Sequence, residues 1–363
     1  MKKVLVAFAV WRVITLLVAG FSPIFLPTFG AKFPYYHERL IATNLPHFLW
    51  AFGNFDGVHY LGIAQSAYSA QFTQAFFPLY PLVIRIFSLL TFGILFWSAF
   101  LLSNIFFLLA LIVFYKLIAG HSDSKKAFWS VIFMLGFPTS FYFGAIYTES
   151  LFLLLTLCTF VLIDKKKYFL AAVTGAFATL TRLIGVFLGL IFLLFSKGKW
   201  RYLGVGIVAL GLLAYMLYLQ VNFDNPIYFL TSQSEFGQGR DSSKLILLPQ
   251  VLFRYTKILL TTQGLLRLNA VFELTSTAFA LAILAYSYKK VKSSWLLFSF
   301  LSVLLPTLTG TLASMPRYIL IAFPIYVVLG SLKSTPLKLL ILAIFVLVGF
   351  VSLTLFSQGY WVA

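Results

Sequence analysis

Apolar stretches of roughly 14 to 25 residues recur from end to end of this chain, and they leave its backbone few options. Inside lipid every peptide group must find its hydrogen-bond partner within the protein, and runs this long do so as helices. Composition agrees: 61% of the 363 residues are hydrophobic, 10% are charged, and the mean hydropathy is +0.98. Those values exclude a water-soluble globular chain. The expected fold class is an all-α polytopic membrane protein, with residues 1–363 as a single integral-membrane domain. The lone cysteine, Cys158, lies in an apolar run and excludes an intramolecular disulfide or a cysteine-rich metal site. Residues 1–20 resemble a signal peptide in having Lys2 and Lys3 before an apolar stretch. Arg12 interrupts that stretch and no small-x-small cleavage site follows, so an uncleaved signal anchor is expected.

A net charge of +18 suits a nucleic-acid binder, but its distribution argues against one. The cations gather in short clusters between apolar runs: Lys125 with Lys126, Lys165 to Lys167, Lys197 with Lys199 and Arg201, Lys289 with Lys290 and Lys292, and Lys333 with Lys338. This is the positive-inside bias of cytoplasmic loops, and it reports topology. No nucleic-acid partner is expected; membrane lipids are.

With those clusters cytoplasmic, parity fixes the rest. Residues 4–20 cross outward, and residues 21–93 form a first extracytoplasmic loop. Within it, 77–91 hold Pro78, Pro81 and Arg85 and are too short to span, so 82–90 are expected as an amphipathic helix on the outer face. The stretch 94–118 crosses back. Residues 127–163 go out and return through an outer turn at 137–150. Residues 168–196 must do the same with only about 14 residues per leg, too few for a roughly 30 Å core. They are expected as short helices ending in an outward-facing cavity, with Thr181 and Arg182 at the turn. A span over 201–221 leads to a second extracytoplasmic loop, 222–264, and three or four spans follow, with 315–318 at an outer turn. This makes about 11 crossings and an outer C-terminus. No internal repeat is evident.

Only nine carboxylates occur, so the groups able to do proton chemistry are nearly enumerable. Asp123 and Asp164 fall in cytoplasmic loops and read as solvated. Asp56, Glu149, Arg182, Asp224, Glu235, Arg240, Asp241 and Arg317 fall on or near the outer face. Glu149 and Arg182 sit at hairpin turns flanked by apolar sequence, where an unpaired charge is costly. A structural ion pair of Glu149 with Arg182 or Arg317 competes there with a role in binding. Asp56 and His59 are three apart and share a face if helical. No third ligand is evident, so no metal or other cofactor is expected. His59 is expected either to hydrogen-bond Asp56 or the acceptor, or simply to pack. Tyr60, Tyr68, Phe76, Phe77 and Tyr80 could stack on a sugar or line an acyl chain, although interfacial aromatics are common in membrane proteins. Arg12, inside the first span, has three open placements: snorkelling, pairing within the bundle, or meeting a lipid phosphate.

The string FDGVHYLGIA (55–64), the pair AY (67–68) and AFFPLYPLVIR (75–85) resemble the first outer loop of the PIG-V-type mannosyltransferases. FPTSFYFGAIYTESLFLLLT (137–156), ATLTRLIG (178–185), SMPRYILIAFPIY (314–326) and FSQGYWVA (356–363) resemble that family's later signatures, in its order. The chain departs from the pattern in Phe55 for tryptophan, Ala67 for glycine, and Gln71 where glutamate is frequent. Its compactness is similar to that of bacterial relatives in a plasma membrane. The resemblance implies a GT-C fold and a glycosyltransferase that moves a sugar, mannose by analogy, from a polyprenyl-phosphate donor to a lipid or glycan acceptor with inversion. Asp56 would be the general base, with His59, Tyr68, Tyr80, Glu149, Arg182 and Arg317 binding substrate. Chemistry is consistent with this: transfer to a hydroxyl needs one placed base, and preorganised arginines stabilise charge growing on a leaving phosphate. Two other functions stay open, a flippase or transporter of lipid-linked sugar and a noncatalytic subunit that binds one.

Overall fold

The computed structural model describes residues 1–30, 33–236 and 245–362. Among these the chain is helical, and its only β feature is an isolated bridge between Ile246 and Thr309. Arg240 and Asp241 lie outside the described residues.

Helix α1 (Lys2–Phe25) leads into a loop with two short turns, α2 (Tyr36–Arg39) and α3 (His47–Trp50), followed by α4 (Asp56–Ser66) and α5 (Leu79–Ser88). Then come α6 (Leu95–Ala119), α7 (Ser124–Gly136), α8 (Glu149–Asp164), α9 (Tyr168–Thr181), α10 (Phe187–Phe195) and α11 (Trp200–Phe223). The rest comprises α12 (Tyr228–Thr231), α13 (Leu248–Thr261), α14 (Gly264–Tyr286), α15 (Ser293–Thr307), α16 (Met315–Tyr318), α17 (Pro324–Gly330) and α18 (Thr335–Ser357).

Five of these helices, α1, α6, α11, α14 and α18, are long and apolar enough to cross a membrane. Their outward faces expose Val13, Leu101, Leu213, Leu268 and Leu347. Surfaces of that kind are stable only against lipid, so this is an integral membrane protein. Several of the helices have identifiable limits. Asp123 caps α7 by accepting the Lys126 amide at 2.7 Å. Ser334 caps α18, with Pro336 in its first turn. Helix α9 stops at Thr181 because Arg182 is extended (φ −155°, ψ 141°) and the chain turns back over the helix end. That turn needs glycine: a Cβ on Gly185 would sit 2.5 Å from the Thr179 nitrogen. Helices α9 and α10 have 14 and 9 residues, too short to cross singly, as their sequence implies.

Helix α5 has 10 residues and continues as a single 3₁₀ turn over Leu89–Thr91. At ~1.5 Å per residue it reaches about half-way across a bilayer core. It buries Tyr80, Ile84 and Ser88 and exposes Leu82, Ile86 and Leu90, the amphipathic pattern read from sequence. Arg85 donates from Nη1 to the carbonyls of Ala64 (3.2 Å) and Gln65 (2.9 Å) and so caps the end of α4. The next residue, Ala67, has φ +53°, a conformation that favours glycine. The alanine that departs from the family pattern therefore carries backbone strain.

Helix α8 separates two charged regions. At its C-terminal end Asp164 bridges His121 (3.3 Å) and Lys292 (2.7 Å), drawing together loops that carry basic clusters. Asp164, read from sequence as merely solvated, is thus paired. Glu149, at the other end, belongs to a different assembly.

Candidate active site

Asp56 opens α4, and the turn that delivers it is strained. Phe55 has φ +57° and ψ −113°, a region that costs a residue with a Cβ about 1–3 kcal/mol. Several contacts impose it. Asn54 donates from Nδ2 to the Phe356 carbonyl at 2.8 Å, and the Tyr147 hydroxyl donates to the Asn54 carbonyl at 2.9 Å. The same hydroxyl accepts the Asp56 amide at 3.3 Å. The Phe55 ring packs on Phe33 and on the edge of Trp361, with centroids 4.8 and 5.1 Å away. Over-determination of this kind fixes the direction of the carboxylate that follows.

That carboxylate begins a chain of four charged groups. Arg317 Nη1 lies 2.5 Å from Asp56 Oδ2, and its Nε lies 3.4 Å from Glu149 Oε1. Glu149 Oε1 in turn accepts from Arg182 Nη1 at 2.9 Å. The order Asp56, Arg317, Glu149, Arg182 alternates in sign and sums to zero, which makes the burial of four charges tolerable. The Glu149 side chain is 1% exposed and that of Arg317 7%, against 20% for Asp56 and 13% for Arg182. The inner pair is therefore locked and the outer pair faces open space. Burial alone would lower the Arg317 guanidinium; Asp56 and Glu149 outweigh it and hold it well above the usual arginine value. Tyr318 lies beneath both guanidiniums, 5.3 Å from Arg182 and 5.5 Å from Arg317. Glu149 Oε2 is buried without a hydrogen-bond partner.

All four groups line one cavity of about 460 Å³. Beyond its charged end, one wall consists of Phe76, Phe77, Leu230, Gln233 and Phe236, and another of Leu183, Ile184, Leu305, Pro306 and Leu308. Helices α9 and α15 end at the second wall. Among the described residues, no three His, Cys, Asp or Glu groups cluster where a metal ion could sit. A carboxylate at a cavity edge, beside two arginines and an apolar wall, can take a proton from a hydroxyl and receive an anion with a greasy tail.

The profile of the mannosyltransferase (PIG-V) family matches residues 2–203, more than half of the chain. The chain belongs to the PIG-V mannosyltransferase family. Asp56, Glu149 and Arg182 fall within the matched residues, whereas Arg317 and Trp361 lie beyond them. Two solved structures of the Archaeoglobus fulgidus oligosaccharyltransferase are also similar to it. One, tethered with an acceptor peptide containing the NVT sequon, has 12% identity and a TM-score of 0.45 over 97% of this chain and 55% of that one. The other, a complex with Zn and sulfate, has 14% identity and a TM-score of 0.46 over 97% and 53%. This chain thus spans about half the length of that protein. No curated protein matches it.

Of the residues singled out from the sequence, Asp56, Glu149, Arg182 and Arg317 meet in the cavity, and Glu149 pairs with both of the arginines that the sequence offered it, Arg182 and Arg317. Three others stand behind its wall. His59 stacks on Phe76 at 5.0 Å and meets the edge of Phe236 at 5.2 Å, and no hydrogen bond joins it to Asp56. Burial pushes its imidazolium down to about 4, with Asp56 opposing the shift and Arg39 adding to it. Tyr68 donates its hydroxyl to the Phe76 carbonyl at 2.8 Å, and Tyr80 bonds Ser103 Oγ at 2.6 Å. Tyr60, four residues after Asp56, lines the cavity where His59 does not. A four-residue step falls closer to the same helix face than a three-residue step, 40° against 60° at about 100° per residue. Thr148, Gln233, Thr309, Tyr318 and Trp361 also line it, though the sequence did not single them out as substrate contacts. The only signal for Trp361 was its place in the last family signature.

Proposed function

We propose that this GT-C-type enzyme transfers a sugar, mannose first among candidates, from a polyprenyl-phosphate donor to the hydroxyl of a lipid or glycan. The transfer inverts the anomeric centre and takes place on the extracytoplasmic face of the plasma membrane. The observation that carries this reading is the alternating chain from Asp56 to Arg182 along one cavity with an apolar wall. Asp56 takes the proton as the acceptor oxygen bonds to the anomeric carbon, and the bond from that carbon to the phosphate oxygen breaks. The lipid phosphodiester becomes a monoester and gains one negative charge as Asp56 loses one. Total charge in the site is constant, and Arg317, freed of a charged partner, can turn its field to the phosphate. Arg182, more exposed and held by Glu149 alone, is the first contact for that phosphate through its remaining donors. The prenyl chain follows Leu183, Ile184, Leu305 and Pro306. Acceptor and leaving group approach from opposite ends of the charged chain, which suits a single inverting displacement.

The extracytoplasmic placement rests on charge parity and on about 11 crossings, counted from the five long helices with α7, α8, α9, α10, α15 and α17 as shorter legs. Cysteines placed at Ser69 and Ser124 should label from opposite sides of the membrane; labelling from one side would overturn it. The activity is tested by reconstituting the protein in vesicles with polyprenyl-phosphate mannose and identifying the glycosylated product. Movement of intact donor across the bilayer with no product would favour the transporter reading instead.

A further inference from the structure

The segment after α18 does not leave the fold. Gln358 donates from Nε2 to Ser22 Oγ at 2.9 Å, Gly30 donates its amide to the Gln358 carbonyl at 2.8 Å, and Asn269 Nδ2 holds the Trp361 carbonyl at 2.8 Å. These bonds bring the Trp361 ring beside Arg317 and beside Phe55, the residue that precedes Asp56. It meets the Phe55 ring edge-on at 5.1 Å (interplanar angle 87°), and the Arg317 guanidinium lies 6.0 Å from its centre. Its Nε1 is buried, so the indole can offer the cavity only its ring surface.

Building on the glycosyltransferase reading above, we propose that Trp361 is the platform on which the donor's sugar lies. Whatever sugar is transferred must lie in the cavity where Asp56 reaches its acceptor and the arginines reach its phosphate, and Trp361 lines that cavity beside Arg317. The other cavity aromatics are committed. Phe76 stacks on His59, Phe236 meets both of those rings edge-on, Phe77 packs on Tyr215 and Phe229, Tyr60 is 6% exposed and ringed by Phe76 and Tyr80, and Tyr318 lies under the guanidiniums. A hexose ring has one face rich in C–H groups. Laid on an indole, that face loses water while the hydroxyls keep theirs, the amphipathic match that large aromatics provide.

The test uses two probes on the full-length protein, farnesyl phosphate and farnesyl-phosphoryl mannose, which share the tail and differ in the sugar and in the extra negative charge of the free phosphate, so each variant is compared with the wild type on the same probe. Trp361→Ala should weaken the mannosylated probe about tenfold and leave farnesyl phosphate unchanged. Trp361→Phe, which keeps a ring against Phe55, should lose less and guards against misfolding. In the wild type, tryptophan emission should respond more to the mannosylated probe than to the bare phosphate, and Trp361→Phe should abolish that difference. Equal loss for both probes, no loss for either, or an emission difference that survives in Trp361→Phe would overturn the proposal. A wild type that binds neither probe would instead bring down the lipid-phosphate donor reading, and the platform with it.

Discussion

Arg317 and Arg12 are both buried in this membrane protein, 5% and 9% exposed, and they are accommodated in opposite ways. Arg317 lies between two carboxylates at a cavity. Arg12, in the middle of α1, has no carboxylate partner among the described residues: its guanidinium lies 4.3 Å from the Phe52 ring centre and 4.6 Å from that of Phe100. Its Nη1 reaches only Thr15 Oγ1 at 3.4 Å, and its Nη2 has no hydrogen-bond partner. Gly144 makes the room, since a Cβ there would come within 2.7 Å of Nη1. A buried cation with acids attached can change its partner during a reaction, whereas one held by aromatic faces has nothing to exchange. On this comparison the proposed transfer has a use for Arg317 and none for Arg12.

The largest effect should follow from removing the negative end of the charged chain. Asp56→Asn keeps the shape and a hydrogen bond to Arg317 but cannot accept a proton, so transfer from polyprenyl-phosphate mannose should fall by about 10²–10⁴-fold with the fold intact. Glu149→Gln is the control: it leaves Arg182 without an acid partner and should lower thermal stability along with rate. A well-folded but inactive Glu149→Gln beside a fully active Asp56→Asn would reassign the base. Next come the cations. Arg182→Ala and Arg317→Ala should each cost about 2–4 kcal/mol in kcat/KM, the scale of one lost oxyanion donor. Lysine should restore only part, because it lacks the guanidinium fork. The two positions should differ: Arg182→Lys should raise KM for the donor, and Arg317→Lys should chiefly lower kcat. Normal turnover in both alanine variants would move Arg317 into the same class as Arg12.

The sequence revealed one side of this comparison better than the other. Charge clusters and run lengths pointed to the short legs at 168–196, the amphipathic helix at 82–90 and the turn at Arg182, because lipid constrains length and charge directly. Scarcity of acids pointed to Asp56, and the cost of a bare charge at an apolar hairpin turn marked Glu149 and Arg182, leaving Arg182 and Arg317 both open as the partner of Glu149. The Asp56–Arg317 contact joins residues 261 positions apart, and no local pattern reports it. Nearness in sequence to Asp56 also drew attention to His59, Tyr68 and Tyr80, which pack behind the cavity. Trp361 was hidden for a different reason: in a chain with 19% aromatic residues, one more ring carries no signal until the fold places it.

His59 gives a smaller effect, on stability. The folded protein holds it neutral down to about pH 4, while the unfolded chain takes up its proton near 6.5. Because the unfolded state binds more protons in between, this contribution is complete above pH 6.5 and is lost as pH falls toward about 4. The loss should reach up to about 3 kcal/mol. Thermal unfolding in detergent at several pH values should show that slope in the wild type and a shallower one in His59→Gln. Equal slopes would mean that His59 is solvated and closer to the site than its packing indicates.

The smallest effect is expected at Arg12, and it decides whether the comparison holds. Methionine has similar length, fills the slot between Phe52 and Phe100, and makes favourable sulfur–aromatic contacts of about 0.3–1.5 kcal/mol. It also removes a buried guanidinium that has no acid to offset its desolvation, and such replacements are often neutral or stabilising. Arg12→Met should therefore leave kcat/KM for polyprenyl-phosphate mannose within about twofold, with thermal stability unchanged or raised by about 1 kcal/mol. Lysine is the harsher substitution, because it keeps the charge, loses the planar stack over the two rings and brings a strongly hydrated head into the same space. Stability should fall in the order methionine, arginine, lysine, with turnover following only as far as folding does. If Arg12→Met instead folds normally and loses transfer as Arg317→Ala does, then the aromatic-bound arginine contributes to the field at the site, and burial without an acid partner is no sign of a purely structural cation.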